Sequence, residues 1–399
     1  IRKSHFLLEL DRVEESSDAL DKAALYDPGH EEIAIFRAEI LTRQGRYEEA
    51  LEIITRLRSE RPDEADQHDI ALVEAHLWES KGDYAQAFDN LYSILKNDPR
   101  SEAAGTRARH VLSHIDDIST VIEPLRHLTD KDPYSGMAWL LLAFALGENG
   151  QEEEAIEAYE LAIVAEDAVK FAYFDYVDFL FNTARYEQAR NILHECSRLK
   201  IFEGDPFIFY RMGECWQAEG ELVQALNYYK RALEIDHLDG YVYFQMGNLY
   251  REFHLTTEAQ QAYETAIQTN DEQPFFFIAL AQLHAAQHEP QKADELFGKA
   301  IKLQPRNVDL WAAYLAFVLA QEEWQHARMV INILTQNEVD DDFCAYATVA
   351  LGFASKQEQQ AYVLLSLALK KNIDYLDYLY AMLPALEKDE KVQRFISEQ

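Results

Sequence analysis

The chain has 399 residues, long for one globular core, and carries 71 Asp and Glu against 37 Lys and Arg for a formal charge of −34. An acidic excess of that size repels phosphate backbones and anionic membrane surfaces over at least a Debye length, which argues against nucleic-acid binding. With only 14 Gly and 10 Pro and no linker-like stretch, the composition points to an array that grows in one dimension rather than to separate cores.

In chain order the elements read as paired helices. Residues up to about Pro28 form a first unit that is short at its start. The segment GRYEEALEIITRLRSERP at 45–62 recurs as GDYAQAFDNLYSILKNDP at 82–99 and more loosely as GQEEEAIEAYELAIVAED from Gly150. An alanine five residues after the turn glycine marks the register at Ala50, Ala87, Ala155, Ala189, Ala225, Ala259, Ala293, Ala327 and Ala361. Ser16 and Val121 fill the two gaps, and eight of the ten steps are 34 residues, one 37 and one 36.

The long step implies an insertion of three residues near 64–66. The unit at 102–135 departs most from the pattern: Arg109 stands where a small residue is expected, the turn lacks glycine, and Pro124 falls inside the second helix, so this unit is expected to be the weakest. The stretch FAYFDYVDFLF at 171–181 has the local propensity of a strand. Only a helix, however, puts Tyr173, Tyr176, Val177 and Leu180 on one apolar face, and it leaves Phe171, Phe174 and Phe181 with Asp178 as a second stripe. Past the last register mark, 376–397 follows no repeat; Tyr375, Leu379, Leu383 and Leu386 are expected to cover the final unit while the run EKDEK faces water.

This spacing resembles the tetratricopeptide repeat family over about 375 residues. Ala38, Ala75, Ala143, Gly213, Gly247 and Ala281, each seven before a turn residue, match the places where that family's two helices approach closely. Ala162, Cys196, Ala232, Ala266, Ala300 and Ala368, each seven after a register mark, match the packing of one repeat on the next, and Pro62, Pro99, Pro133 and Pro305 stop second helices. The resemblance implies an all-α, right-handed superhelical solenoid of antiparallel helix pairs. About eleven units are expected, near 1–30, 31–67, 68–101, 102–135, 136–169, 170–205, 206–239, 240–273, 274–307, 308–341 and 342–375, with a capping segment at 376–399.

Catalytic and metal-binding patterns are missing from the sequence. His284 and His288 have metal-ligand spacing, but the segment HAAQH lacks the glutamate of a zinc protease motif, and His110 and His114 lack a third ligand nearby. Cys196, Cys215 and Cys344 have neither disulfide-framework nor metal spacing. The expectation is a non-enzymatic chain without a cofactor, a metal or a membrane-spanning segment; its location stays open with the cytoplasm favoured, as does a signal segment upstream of Ile1.

The family resemblance further implies that one face of each first helix lines a concave surface where partners bind. In this register that face carries Phe171, Phe174, Asp178 and Phe181, then Phe207, Tyr210 and Glu214, then Tyr241, Phe244 and Arg251, then Phe275 and Ile278. Two readings of these rings stand open: anchors for a partner, or lateral packing between neighbouring first helices. The first makes the chain a protein-interaction scaffold or adaptor that holds a peptide or helix combining apolar with Lys or Arg side chains. The alternative is an accessory subunit positioning an enzyme or a catalytic domain absent from this chain, and the oligomeric state stays open.

Overall fold

The computed structural model describes residues 1–27, 30–60, 64–165, 170–337 and 339–398. Pro28, Pro62 and the residues Glu166 and Asp167 that end the third recurring segment lie outside them. Every regular element among the described residues is helical, and successive helices pack in pairs as an α-α solenoid, with Glu102–Leu112 and Ser119–Lys131 the one loosely packed pair. The chain divides into two compact units, Ile1–Glu203 and Gly204–Gln399.

In the first unit the pairs run from Arg2–Glu9 with Val13–Tyr26 to Lys170–Asn182 with Tyr186–Cys196; in the second they run from Pro206–Ala218 with Leu222–Ile235 to Asp341–Ala354 with Glu358–Lys371. The turn between partners is tight because its middle residue adopts left-handed backbone, as at Gly45, Gly82, Gly150 and Gly220, with φ of 73–82°. That conformation lets the following N–H reach back into the helix: Arg46 donates to the Leu41 carbonyl and Asp83 to that of Trp78, each at 2.9 Å. Asp11, Ala184, His254, His288, Glu322 and Lys356 hold the same conformation without being glycine.

Small residues sit where backbones meet. All nine register alanines are fully buried. A Cβ on Gly213 would come within 2.4 Å of the Tyr229 ring, and one on Gly247 within 2.5 Å of the Tyr263 ring, so each ring fills the space its glycine vacates. Ser16 replaces alanine without leaving an unmet hydroxyl, because its Oγ donates to the Ser4 carbonyl at 2.7 Å.

The irregular steps have local explanations. The insertion near 64–66 lengthens one first helix, Glu64–Lys81, to 18 residues, against 13 for Glu31–Arg43. The 36-residue step holds a short 3-10 turn, Lys200–Phe202, whose Phe202 is buried against the rings of Tyr173 and Phe174, each at 5.4 Å. The unit at 102–135 differs from the reading of its sequence. Its two helices, Glu102–Leu112 and Ser119–Lys131, do not pack closely on each other; the first packs instead on Tyr84–Leu95 and Gly136–Glu148, so the place of Arg109 needs no small residue. They are joined by a longer connection at 113–118 in which no residue takes left-handed backbone. At the C-terminal end Leu379, Met382, Leu386 and Val392 join the core of the last helix pairs, and residues 387–391 are exposed.

Candidate functional site

In the second unit the ring-bearing face is set by how its first helices begin. Asp205 accepts from the Phe207 N–H at 3.0 Å and Pro206 opens that helix; Asp239 accepts from Tyr241 at 2.9 Å and from Val242 at 3.3 Å; Pro274 opens the third. Each cap or proline fixes the first turn, so Phe207, Tyr241 and Phe275 occupy equivalent places on Pro206–Ala218, Gly240–Glu252 and Pro274–Ala286.

Burial grades these rings. Tyr241 is 44% exposed, while Phe207, Tyr210, Phe244, Phe275 and Ile278 are half-buried. Phe244 meets Phe275 edge-on at 5.0 Å across to the next first helix and also touches Phe276 and Tyr263; Tyr241 lies 5.8 Å from Phe275 and 5.6 Å from Phe276. Phe207 and Tyr210 are 6.3 Å apart, and Tyr210 rests on Tyr229 at 5.9 Å. Lateral packing therefore takes part of each ring and leaves the rest of it facing out.

The polar groups among them are mostly engaged. Glu214 accepts from Arg211 at 2.5 Å with both side chains largely buried, and the Arg211 guanidinium lies 5.9 Å from the Phe207 ring centre. Burial, with Glu214 nearby, pushes the Tyr210 hydroxyl well above the usual tyrosine range, so it stays a neutral donor. Arg251 is exposed at the end of the same face.

In the first unit Phe171, Phe174, Asp178 and Phe181 share the helix Lys170–Asn182 and are all half-buried. Phe174 rests on Phe202, Phe181 meets Tyr186 at 5.3 Å, and Phe171 lies 5.9 Å from the Arg109 guanidinium. Asp178 lines an indentation of about 290 Å³ with Arg109, Phe144, Tyr159 and Asp175. Within it Arg109 donates through Nε and a terminal nitrogen to both oxygens of Asp175, 66 residues away. The Asp175 side chain is only 7% exposed; burial pushes its carboxyl up while Arg109 opposes the rise.

A second cleft in this unit, of about 1000 Å³, includes His76, Glu79, Tyr84, Arg107 and His110 in its lining. Arg107 donates to one Glu79 oxygen at 2.9 Å, and burial, then Arg107 and Arg43, push His76 down to about 4. Sequence reasoning missed it because it sought rings. The signal was the register itself, which puts His76 and Glu79 on their helix where Glu214 and Gln217 stand on theirs.

The histidine pairs have structural partners: His284 is buried with Nδ1 2.6 Å from Glu289, His288 sits in the turn, and His114 stacks on Tyr84 at 4.7 Å. Among the described residues no three His, Cys, Asp or Glu side chains are grouped to hold a metal ion, and no helix is long and apolar enough to cross a membrane.

Two segments, 7–73 and 138–164, match models of the tetratricopeptide repeat. A curated relative, the TPR repeat-containing protein PA4667 of Pseudomonas aeruginosa, is 22% identical over 222 residues; the match takes in 55% of this chain and 31% of that protein, so this chain spans about a third of its length. Among solved structures, yeast Tom70 is 12% identical, with 100% of this chain and 98% of that one covered and a TM-score of 0.49. The pilF protein of Pseudomonas aeruginosa is 18% identical, covering 57% of this chain and 96% of its own, with a TM-score of 0.40.

Proposed function

We propose that this chain, a tetratricopeptide repeat protein, holds a segment of a protein partner against the ring-bearing face of its second compact unit. Tetratricopeptide repeats are generally protein-interaction scaffolds, and the reading here is a non-catalytic one. What carries it is the triple of equivalent first-turn rings, Phe207, Tyr241 and Phe275, which keep surface outward although Val242, Met246 and Phe276 already fill the core beneath. Rings of this kind bind through large apolar area at low entropic cost. The ligand that fits is apolar. Glu214 already holds Arg211, so basic side chains add less on this face than the sequence suggested.

The test begins with the purified chain as bait and mass spectrometry of what it retains, followed by titration of the retained partner. Phe207→Ala with Tyr241→Ala is expected to weaken binding by ~2 kcal/mol or more per ring while moving the melting temperature little, because both rings are partly exposed. Phe244→Ala should instead lower the melting temperature, since that ring packs on three others. A partner that binds the Phe207/Tyr241 double variant as tightly as the parent would sink the proposal.

A further inference from the structure

The repeat register allows one outward position to be compared along the whole chain. Residues two and six after each register mark project from the outer side of the second helix, one helical turn apart. At the first nine marks these places are polar or charged, as with Glu295 and Lys299, Leu161 being the single departure. At the last two they are Met329 and Ile333, then Val363 and Leu367, which are 61, 44, 62 and 61% exposed. The cores of the same helices are filled by Ala327, Val330 and Leu334 and by Ala361, Leu365 and Ala368, so packing within the array does not account for the four.

Charge changes at the same place. The chain as a whole has about twice as many acids as bases, yet the two helices involved, Trp324–Gln336 and Glu358–Lys371, carry Arg328, Lys370 and Lys371 against Glu358 alone. Lys371 pairs with Asp342 at 2.5 Å, while Arg328 and Lys370 stand exposed beside the apolar side chains.

We propose that this outer face docks an acidic amphipathic helix of another protein. Two apolar pairs with i, i+4 spacing on the second helices of successive repeats offer two footholds for the apolar stripe of a helix, and the exposed cations match carboxylates on its borders. A second copy of this chain fits poorly, because it would set Arg328 and Lys370 against themselves. Four half-exposed side chains offer roughly 300 Å², within the size of a functional surface patch and well short of the ~800 Å² per partner of a stable dimer.

The probe is a fluorescein-labelled synthetic helix with a leucine seam bordered by Glu, compared with a twin bordered by Lys, both titrated with the full chain at physiological salt and read by anisotropy. The parent is expected to prefer the Glu helix by about tenfold or more. M329Q/I333Q/V363Q/L367Q should lose that binding by about tenfold or more with an unchanged melting curve, R328E/K370E should invert the preference, and Tyr241→Ala should leave it intact. The proposal is overturned if the Lys helix binds the parent at least as well, or if neither multiple variant changes affinity. A dimer in sedimentation that the four-Gln variant abolishes would overturn it too, and would assign the face to a second copy.

Discussion

At Gly213 and Gly247 the missing Cβ is what the neighbouring tyrosine occupies, and the consequence is measurable. Gly213→Ala or Gly247→Ala drives a methyl group into a ring and is expected to cost about 1–3 kcal/mol, read as a lower melting temperature. Gly298 is the control: it lies inside the helix Pro290–Leu303 with nothing within 4 Å of its would-be Cβ, so Gly298→Ala should stabilise by roughly 0.5–1 kcal/mol. Arg109 obeys a different logic. Arg109→Met leaves the buried Asp175 carboxylate without its cation, at a cost of about 2 kcal/mol, below that of a fully buried pair because 38% of the Arg109 side chain is exposed. The pH dependence of the deficit has a definite sign. Without Arg109 the folded-state pKa of Asp175 rises further above its unfolded value, so the folded variant takes up a proton first on acidification. The deficit should therefore be largest at neutral pH and shrink as pH falls toward the ordinary carboxylate range, which thermal melts at several pH values would check; a constant deficit would mean that the charge of Asp175 is not its source.

Among the elements, the turns are the least optimised. Among the described residues six of the left-handed positions carry residues other than glycine, and an L side chain there costs about 1–2 kcal/mol relative to the right-handed form. Ala184 has no side-chain acceptor to offset that strain, so Ala184→Gly is expected to raise stability by about 1 kcal/mol, while Gly220→Ala should lower it by a similar amount; urea unfolding of the two variants reads both. The helices themselves were legible in the sequence wherever periodicity decided between alternatives. The apolar face that only a helix makes decided against a strand at 171–181, and Tyr173, Tyr176, Val177 and Leu180 are indeed buried. What periodicity could not reveal was pairing across distance. Asp175 is buried against a partner two register steps away, and Arg109 looked misplaced because the loose pairing of Glu102–Leu112 with Ser119–Lys131 is invisible to a fixed register. Phe202 was hidden in the two extra residues of the 36-residue step. In the candidate site the ring positions could be listed from sequence, but not how much of each ring its neighbours cover, nor that Glu214 is already neutralised by Arg211.

At the scale of the whole molecule, charge governs. A formal −34 on 399 residues is self-repulsive, so raising NaCl from low to moderate concentration should increase the melting temperature by screening that repulsion, with the gain levelling off once the Debye length falls to a few ångströms. A fall in melting temperature with salt would mean that the surface ion pairs outweigh the net charge. Stability in a repeat array is otherwise close to a sum of single units and contacts between immediate neighbours, which is why such arrays tolerate gaining or losing a unit. The bond between Arg109 and Asp175 breaks that additivity, because it reaches over the whole helix pair Gly136–Glu148 and Glu152–Val164 to join the pairs on either side. Duplicating or deleting that one pair would leave every neighbouring interface available to re-form, yet it would move a buried carboxylate out of reach of its arginine. Over this stretch a change in the number of repeats would be registered by a single pair of side chains.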